Sequence, residues 1–259
     1  MAGKFRIGRW LRRDASVEIS EADGIRSMHL GSDTVQSSMK LADPYELVLS
    51  YTRAMMAFLL FHPQPRHVVH VGLGGGSLAK FTYKHFPAAK TTVVETDEKV
   101  LLVARQYFYV PPNGDRFVVE VAEGSQWVAR HPGCCDVLMV DGYDGVEQVE
   151  ELCTANFYAA AAAALEPDGV LIVNLWSSDE RFDAYLQRIE AAFESLACVP
   201  AERKGNVAVV AFKRSPRKPR WDDLRAAARG LQSTYGLEFL KFVDGLREAN
   251  PRSAARLLV

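Results

Sequence analysis

An apolar run at residues 68–71 passes straight into Gly72-Leu73-Gly74-Gly75-Gly76-Ser77-Leu78, and a helical pattern begins at Ser77. Glycines this dense let the backbone turn sharply at a strand end and come close to a ligand. A strand, a glycine turn and a helix in that order form the opening βα unit of a nucleotide-binding sheet. The next apolar run, 91–95, ends on Glu95, 23 residues after Gly72. An acidic side chain at that strand end is placed to accept hydrogen bonds from ribose hydroxyls. The glycines alone fit an ordinary turn; strand, helix and carboxylate together point to a nucleoside pocket.

The alternation continues. Runs at 117–121, 136–140, 169–175 and 207–213 read as further strands, and 77–85, 97–107, 125–129, 155–165 and 181–196 as helices. Continuously apolar strands joined to helices by short connections predict an α/β fold with a parallel sheet covered on both faces. Residues 1–45 read as a small antiparallel unit of β-hairpins with a turn at Asp23-Gly24. A helix is expected over 44–61. A Rossmann-like α/β domain is expected over 46–214, and a proline-containing basic run, Lys213 to Arg220, leads into two expected helices at 222–231 and 237–248. Residues 215–259 therefore form a C-terminal helical extension.

The chain has 259 residues, enough for one large domain with appendages, and a net charge of −1. That balance gives no basic field for nucleic acid or an anionic membrane. No apolar stretch approaches the ~20 residues of a membrane span, and the N-terminus lacks the apolar core of a signal peptide, so a cytoplasmic protein is expected. The four cysteines show no C-x-x-C spacing. No metal is expected, and Cys134 and Cys135 read as reduced thiols near a strand start.

In an open α/β sheet, ligands bind outside the carboxyl ends of the strands. There stand Gly72–Ser77, Glu95, Glu123, Asp141 with Asp144, and Asn174. Carboxylates converging on one edge repel unless they bind hydroxyls, amines or cations. Each also has a plainer reading. Glu95 and Glu123 suit helix starts, and Asp141 and Asp144 suit turns around Gly142 and Gly145.

At these residues the chain resembles the spermidine synthase family of aminopropyltransferases, from about Gly24 to Phe212. The resemblance rests on Gln36, V-G-L-G-G-G-S-L, V-V-E-T-D around Glu95, E-G at Glu123-Gly124, D-G-Y-D at Asp141–Asp144, and L-C-T-A-N-F-Y ending at Tyr158. It implies a doubly wound, mostly parallel seven-stranded sheet of the Rossmann-like methyltransferase type, with the N-terminal β unit and a C-terminal helical cap. It also implies that Gln36, Gly72, Gly74, Gly75, Gly76, Glu95, Glu123 and Gly124 bind the nucleoside co-substrate. Glu95 would hold the ribose and Glu123 the adenine amino group. Asp141 and Asp144 would be the catalytic acids, and Tyr45, Tyr51 and Tyr143 would face the acceptor. A homodimer, a small-molecule amine acceptor and decarboxylated S-adenosylmethionine as donor follow from the same resemblance.

Some positions depart from the family pattern. The glycine loop commonly reads G-G-G-D-G-G, and its Asp is Gly75 here. The Y-H-E stretch before the first strand is absent, D-S-S-D-P is replaced by D-G-Y-D-G, and Glu123 stands for an Asp. Alongside aminopropyl transfer stand two alternatives. One is a small-molecule methyltransferase using S-adenosylmethionine itself, its carboxylate admitted by Gly75. The other is a non-catalytic nucleoside-binding homologue.

Overall fold

The computed structural model describes residues 5–11, 16–31, 34–143, 148–201 and 205–259. Four antiparallel strands come first, paired in chain order: β1 (Phe5–Leu11), β2 (Ser16–Ala22), β3 (Ile25–Leu30) and β4 (Val35–Lys40). Asp23 and Gly24 both take positive φ, 51° and 74°, the handedness a two-residue hairpin turn needs to match strand twist. A short helix, α1 (Ser50–Met55), runs into a 3₁₀ turn at Met56–Leu60.

The βα series follows: β5 (His67–Val71), α2 (Ser77–His85), β6 (Lys90–Glu95), α3 (Glu98–Phe108), β7 (Phe117–Val121), α4 (Gly124–Arg130) and β8 (Cys135–Val140). It continues with α5 (Ala155–Ala164), β9 (Leu165–Trp176), α6 (Phe182–Glu190), β10 (Ser195–Pro200) and β11 (Asn206–Phe212). Helices α7 (Trp221–Tyr235) and α8 (Phe239–Ala249) complete the fold.

These seven later strands form one sheet in the order β10-β11-β9-β8-β5-β6-β7. β7, β6, β5, β8 and β9 are parallel, while β11 runs antiparallel to both β9 and β10. From β5 the chain winds outward through β6 and β7, then returns to β8 on the other side. The switch point therefore lies between β5 and β8, and a crevice opens beyond their carboxyl ends.

Successive residues of a strand point to opposite faces, and here both faces are covered. Val68, Val137, Met139 and Ile172 pack with α1, α7 and α8. Val69, Leu138, Val140 and Val173 pack with α4, α5 and α6. The continuous apolar strands of the sequence are the direct consequence. The N-terminal sheet buries Val17, Ile19, Met28 and Met39 against Val100, Val103 and Phe108 of α3.

Two expected helices are corrected. The helix expected over 181–196 ends at Glu190, and 195–200 is the edge strand β10. Ala197 and Val199 alternate into the core and pair with β11, so a tertiary partner overrides the local pattern. Over 44–61 the helix begins only at Ser50. Before it, the Asp43 carboxylate accepts from Tyr45 N at 3.1 Å and the Asp43 carbonyl from Glu46 N at 3.1 Å, which makes a turn of Pro44 and its neighbours. The C-terminal helices close one face of the sheet and contribute no residue to the crevice.

Candidate active site

Parallel pairing continues past the strand ends and stitches the site residues together. Gly72 N donates to Val94 O (2.9 Å), Asp141 N to Val71 O (3.0 Å) and Ala122 N to Glu95 O (2.9 Å). Gly72 has φ 98°, and a Cβ there would run into the Asp141 carbonyl. Only glycine lets these two strand ends approach so closely. The result is a cavity of about 480 Å³ over the switch point.

Glu95 is 8 % exposed on the cavity wall. Its two oxygens accept from Leu73 N in the glycine loop (3.0 Å) and from Asp97 N (2.9 Å). Burial raises its pKa, and the N–H groups of Asp97, Leu73 and Thr96 pull it back in part. The carboxylate is thus oriented by the backbone while its remaining lone pairs face the cavity.

Glu123 caps α4. Its carboxylate accepts from Ser125 N (3.0 Å), Gln126 N (2.8 Å) and Ser125 Oγ (2.7 Å). Burial opposes the charge, but these three donors outweigh it and lower the pKa. The plain helix-start reading holds, and the same side chain lines the cavity beside Gly124.

Asp141 sits at the end of β8, half-buried. Tyr51 Oη donates to its Oδ2 (3.0 Å) and Asn174 Nδ2 to its Oδ1 (3.0 Å). Burial raises its pKa; the two donors act the other way. Burial also pushes the Tyr51 phenol well up, with the Asp141 charge adding to it, so Tyr51 serves only as a donor to the carboxylate. Tyr51 Oη lies 3.3 Å from the Gln36 carbonyl, which brings β4 to the cavity wall. Tyr143 lines the cavity too, stacked on Trp176 with ring centroids 5.2 Å apart.

The expected residues do not all converge. Gln36, Gly72, Gly74, Glu95, Glu123, Gly124, Tyr51, Asp141 and Tyr143 line the cavity. Tyr45 does not: it lies in a separate shallow depression, with the Lys84 ammonium 5.0 Å over its ring. Gly75 and Gly76 sit behind the cavity. A Cβ on Gly75 would meet Ser37 Oγ at 2.7 Å and Phe108 Cδ1 at 2.8 Å, and one on Gly76 would strike Val110. Asp144 lies outside the described residues. Among those described, no cluster of three or more His, Cys, Asp or Glu side chains is arranged to hold a metal. Nor is any described helix long and apolar enough to cross a membrane.

Sequence reading missed Ser37, whose hydroxyl meets that of Ser77 at 3.2 Å and ties β4 to the glycine loop's helix. It also missed Asn206, whose Nδ2 donates to Asn174 Oδ1 (3.0 Å). Neither pair belongs to a local motif; each is made by strands distant in sequence.

Residues 48–218 match the spermine/spermidine synthase domain. A polyamine aminopropyltransferase of Chromobacterium violaceum is 44 % identical over 244 residues, 94 % of each chain. The chain belongs to the spermine/spermidine synthase family. A spermidine synthase solved with the transition-state analogue AdoDATO superposes with a TM-score of 0.74 at 20 % identity, covering 93 % of this chain and 84 % of that one. Human methyltransferase-like protein 13, solved with SAH, gives 0.66 at 28 % identity, over 73 % and 93 %. The fold is thus shared with both of these proteins.

Against the family pattern, the Gly75 departure has a steric cause. The space an Asp side chain would need is filled by Ser37 and Phe108. Gly75 does not line the cavity.

Proposed function

We propose that this chain is a polyamine aminopropyltransferase that moves an aminopropyl group from decarboxylated S-adenosylmethionine to an amine acceptor. The observation that carries this reading is the Asp141 carboxylate, held by Tyr51 and Asn174 at the switch point of a cavity walled by Glu95 and Glu123. Glu95 takes the ribose hydroxyls and Glu123 the adenine amino group, with Gln36, Gly72, Gly74 and Gly124 shaping the nucleoside half. Tyr51 and Tyr143 face the acceptor, and Asp144 is assigned as a second acid near it.

The chemistry follows from charge. An alkylammonium, with a pKa close to the ~10.4 of lysine, is no nucleophile until it loses a proton. Asp141 accepts that proton as the amine nitrogen attacks the aminopropyl carbon bonded to the sulfonium. The C–N bond forms, the C–S bond breaks, and sulfur keeps the electron pair as the thioether of methylthioadenosine. Carboxylates lining the cavity also favour a cationic donor and a cationic acceptor over neutral competitors. A cytoplasmic homodimer belongs to the same reading, and light scattering on the purified protein checks the oligomer.

The test is release of methylthioadenosine from decarboxylated S-adenosylmethionine with a panel of diamines and polyamines. Asp141→Asn is expected to lower kcat by about 10²–10⁴-fold while donor binding by calorimetry survives. Absence of product with every amine, or turnover indifferent to Asp141→Asn, overturns the proposal. Tighter binding of S-adenosylmethionine than of its decarboxylated form would favour methyl transfer.

A further inference from the structure

On the face of the sheet covered by α7 and α8, a pair of amides interrupts the apolar packing of β9 and β11. Asn174 on β9 is 2 % exposed and lies among Ile172, Ala208 and Val210, all at the core. Ala208 is its direct neighbour on β11, which puts Asn206 on the adjacent diagonal of the same face. A pair of amides on an apolar face is costly unless every polar atom is used. Here they are used in one direction. Asn206 Nδ2 donates to Asn174 Oδ1 at 3.0 Å, and Asn174 Nδ2 donates to Asp141 Oδ1 at 3.0 Å. The Asn174 carbonyl accepts from Tyr143 Oη (3.3 Å) and Gln148 Nε2 (3.5 Å), so the backbone that carries this amide is held as well.

We propose that Asn206 is a positioning residue for Asp141. It acts through Asn174: by donating to Oδ1 it fixes the amide so that N–H groups, and not a carbonyl oxygen, face the carboxylate. Neither asparagine lines the cavity. The relay runs from β11 to β9 to the end of β8 and rests on the reading of Asp141 as proton acceptor. Its consequence is a carboxylate whose Oδ1 is engaged from behind. Tyr51 from α1 holds Oδ2, and Tyr143 from the following loop also faces it; burial keeps both phenols protonated. Losing a donor destabilises the charged form and moves its titration upward.

Selective ¹³C-carboxyl NMR of Asp141 in the resting protein reads this without turnover, and the pH profile of kcat reads it with turnover. Asn174→Leu is expected to raise the Asp141 titration by about one pH unit. Asn206→Leu, close to isosteric and uncharged, raises it by a smaller amount. The double variant shifts no further than Asn174→Leu, because Asn206 has nothing left to act through. Strictly additive shifts, or an Asn206→Leu titration that stays in place, overturn the relay. Should the double variant not fold, Asn206→Asp carries the test. An acceptor at that position reverses the amide and raises the titration more than Asn206→Leu does; an equal or smaller rise overturns the proposal. A titration that moves while the acid limb of kcat does not leaves the relay standing and removes Asp141 from the role of base.

Discussion

Glu95 and Asp141 illustrate how a carboxylate drawn out of water is kept oriented. Each is pushed toward its neutral form by burial and drawn back by donors, but the donors differ. Those on Glu95 are backbone N–H groups of its own loop and of the glycine loop, so its position is as rigid as the strand ends. Glu95→Gln keeps one acceptor oxygen and loses the charge. Charge-assisted bonds to hydroxyls are worth about 1.5–3 kcal/mol, so donor affinity by calorimetry is expected to fall about 10–100-fold. Gly75 makes the opposite point, because its role is to leave no side chain. Gly75→Asp, which restores the family's usual residue, forces Ser37 and Phe108 aside. Overpacking of this kind costs about 1–3 kcal/mol. Thermal unfolding should show a lowered midpoint with no gain in kcat; a more active variant of unchanged stability would contradict the packing argument.

Among the elements, α4 does two jobs through one residue. Glu123 closes the exposed N–H groups of the helix start and presents its remaining lone pairs to the cavity. Glu123→Ser separates the roles, since serine caps well but is too short to reach a ligand. Stability is expected to stay within about 0.5 kcal/mol by urea unfolding, with weakened donor binding. Glu123→Ala should lose about 1 kcal/mol as well. Equal donor affinity in wild type and Glu123→Ser would leave Glu123 a cap alone. The segment L-C-T-A-N-F-Y is likewise resolved at this scale. Thr154 caps α5 by accepting from Phe157 N at 3.0 Å, while Phe157 and Tyr158 are core residues. That motif builds the scaffold beside the site, and Leu152 at its head lies on the cavity wall.

For the molecule as a whole, the end of the sheet away from the cavity carries its own acidic anchor. Asp136, the second residue of β8, is 2 % exposed, accepting from Arg66 N and His67 N at 2.8 Å each and lying 3.0 Å from His62 Nε2. Burial raises its pKa, but the His62 ring and the two backbone N–H groups outweigh it, and the net direction is down from 3.8. A lowered folded pKa means that the stabilisation is complete above the unfolded value and disappears as pH falls through the folded one. Asp136→Ala leaves two part-buried backbone donors without partners and is expected to cost about 2–4 kcal/mol at neutral pH. Urea unfolding of both proteins across pH should show that difference constant near neutrality and narrowing in acid below about 4. A gap independent of pH would mean that Asp136 contributes packing and no charge.

What one sequence settles here is whatever depends on residues close along the chain. Apolar strands, the glycine turn after β5 and the carboxylates ending β6 and β8 follow from local pattern; they identify the fold and gather at one cavity. Strand β10 escaped that reading because its six residues become a strand only by pairing with β11. Tyr45 and Tyr51 are equally plausible by spacing, yet only Tyr51 reaches Asp141, since the turn at Asp43 delays the helix. The ties between Ser37 and Ser77 and from Asn206 through Asn174 to Asp141 join residues 40, 32 and 33 positions apart. Such contacts exist only once the sheet has brought their strands side by side. Tertiary structure alone therefore decided which polar groups face the Asp141 carboxylate, because hydrogen bonds depend on distance in space and leave no period in the sequence.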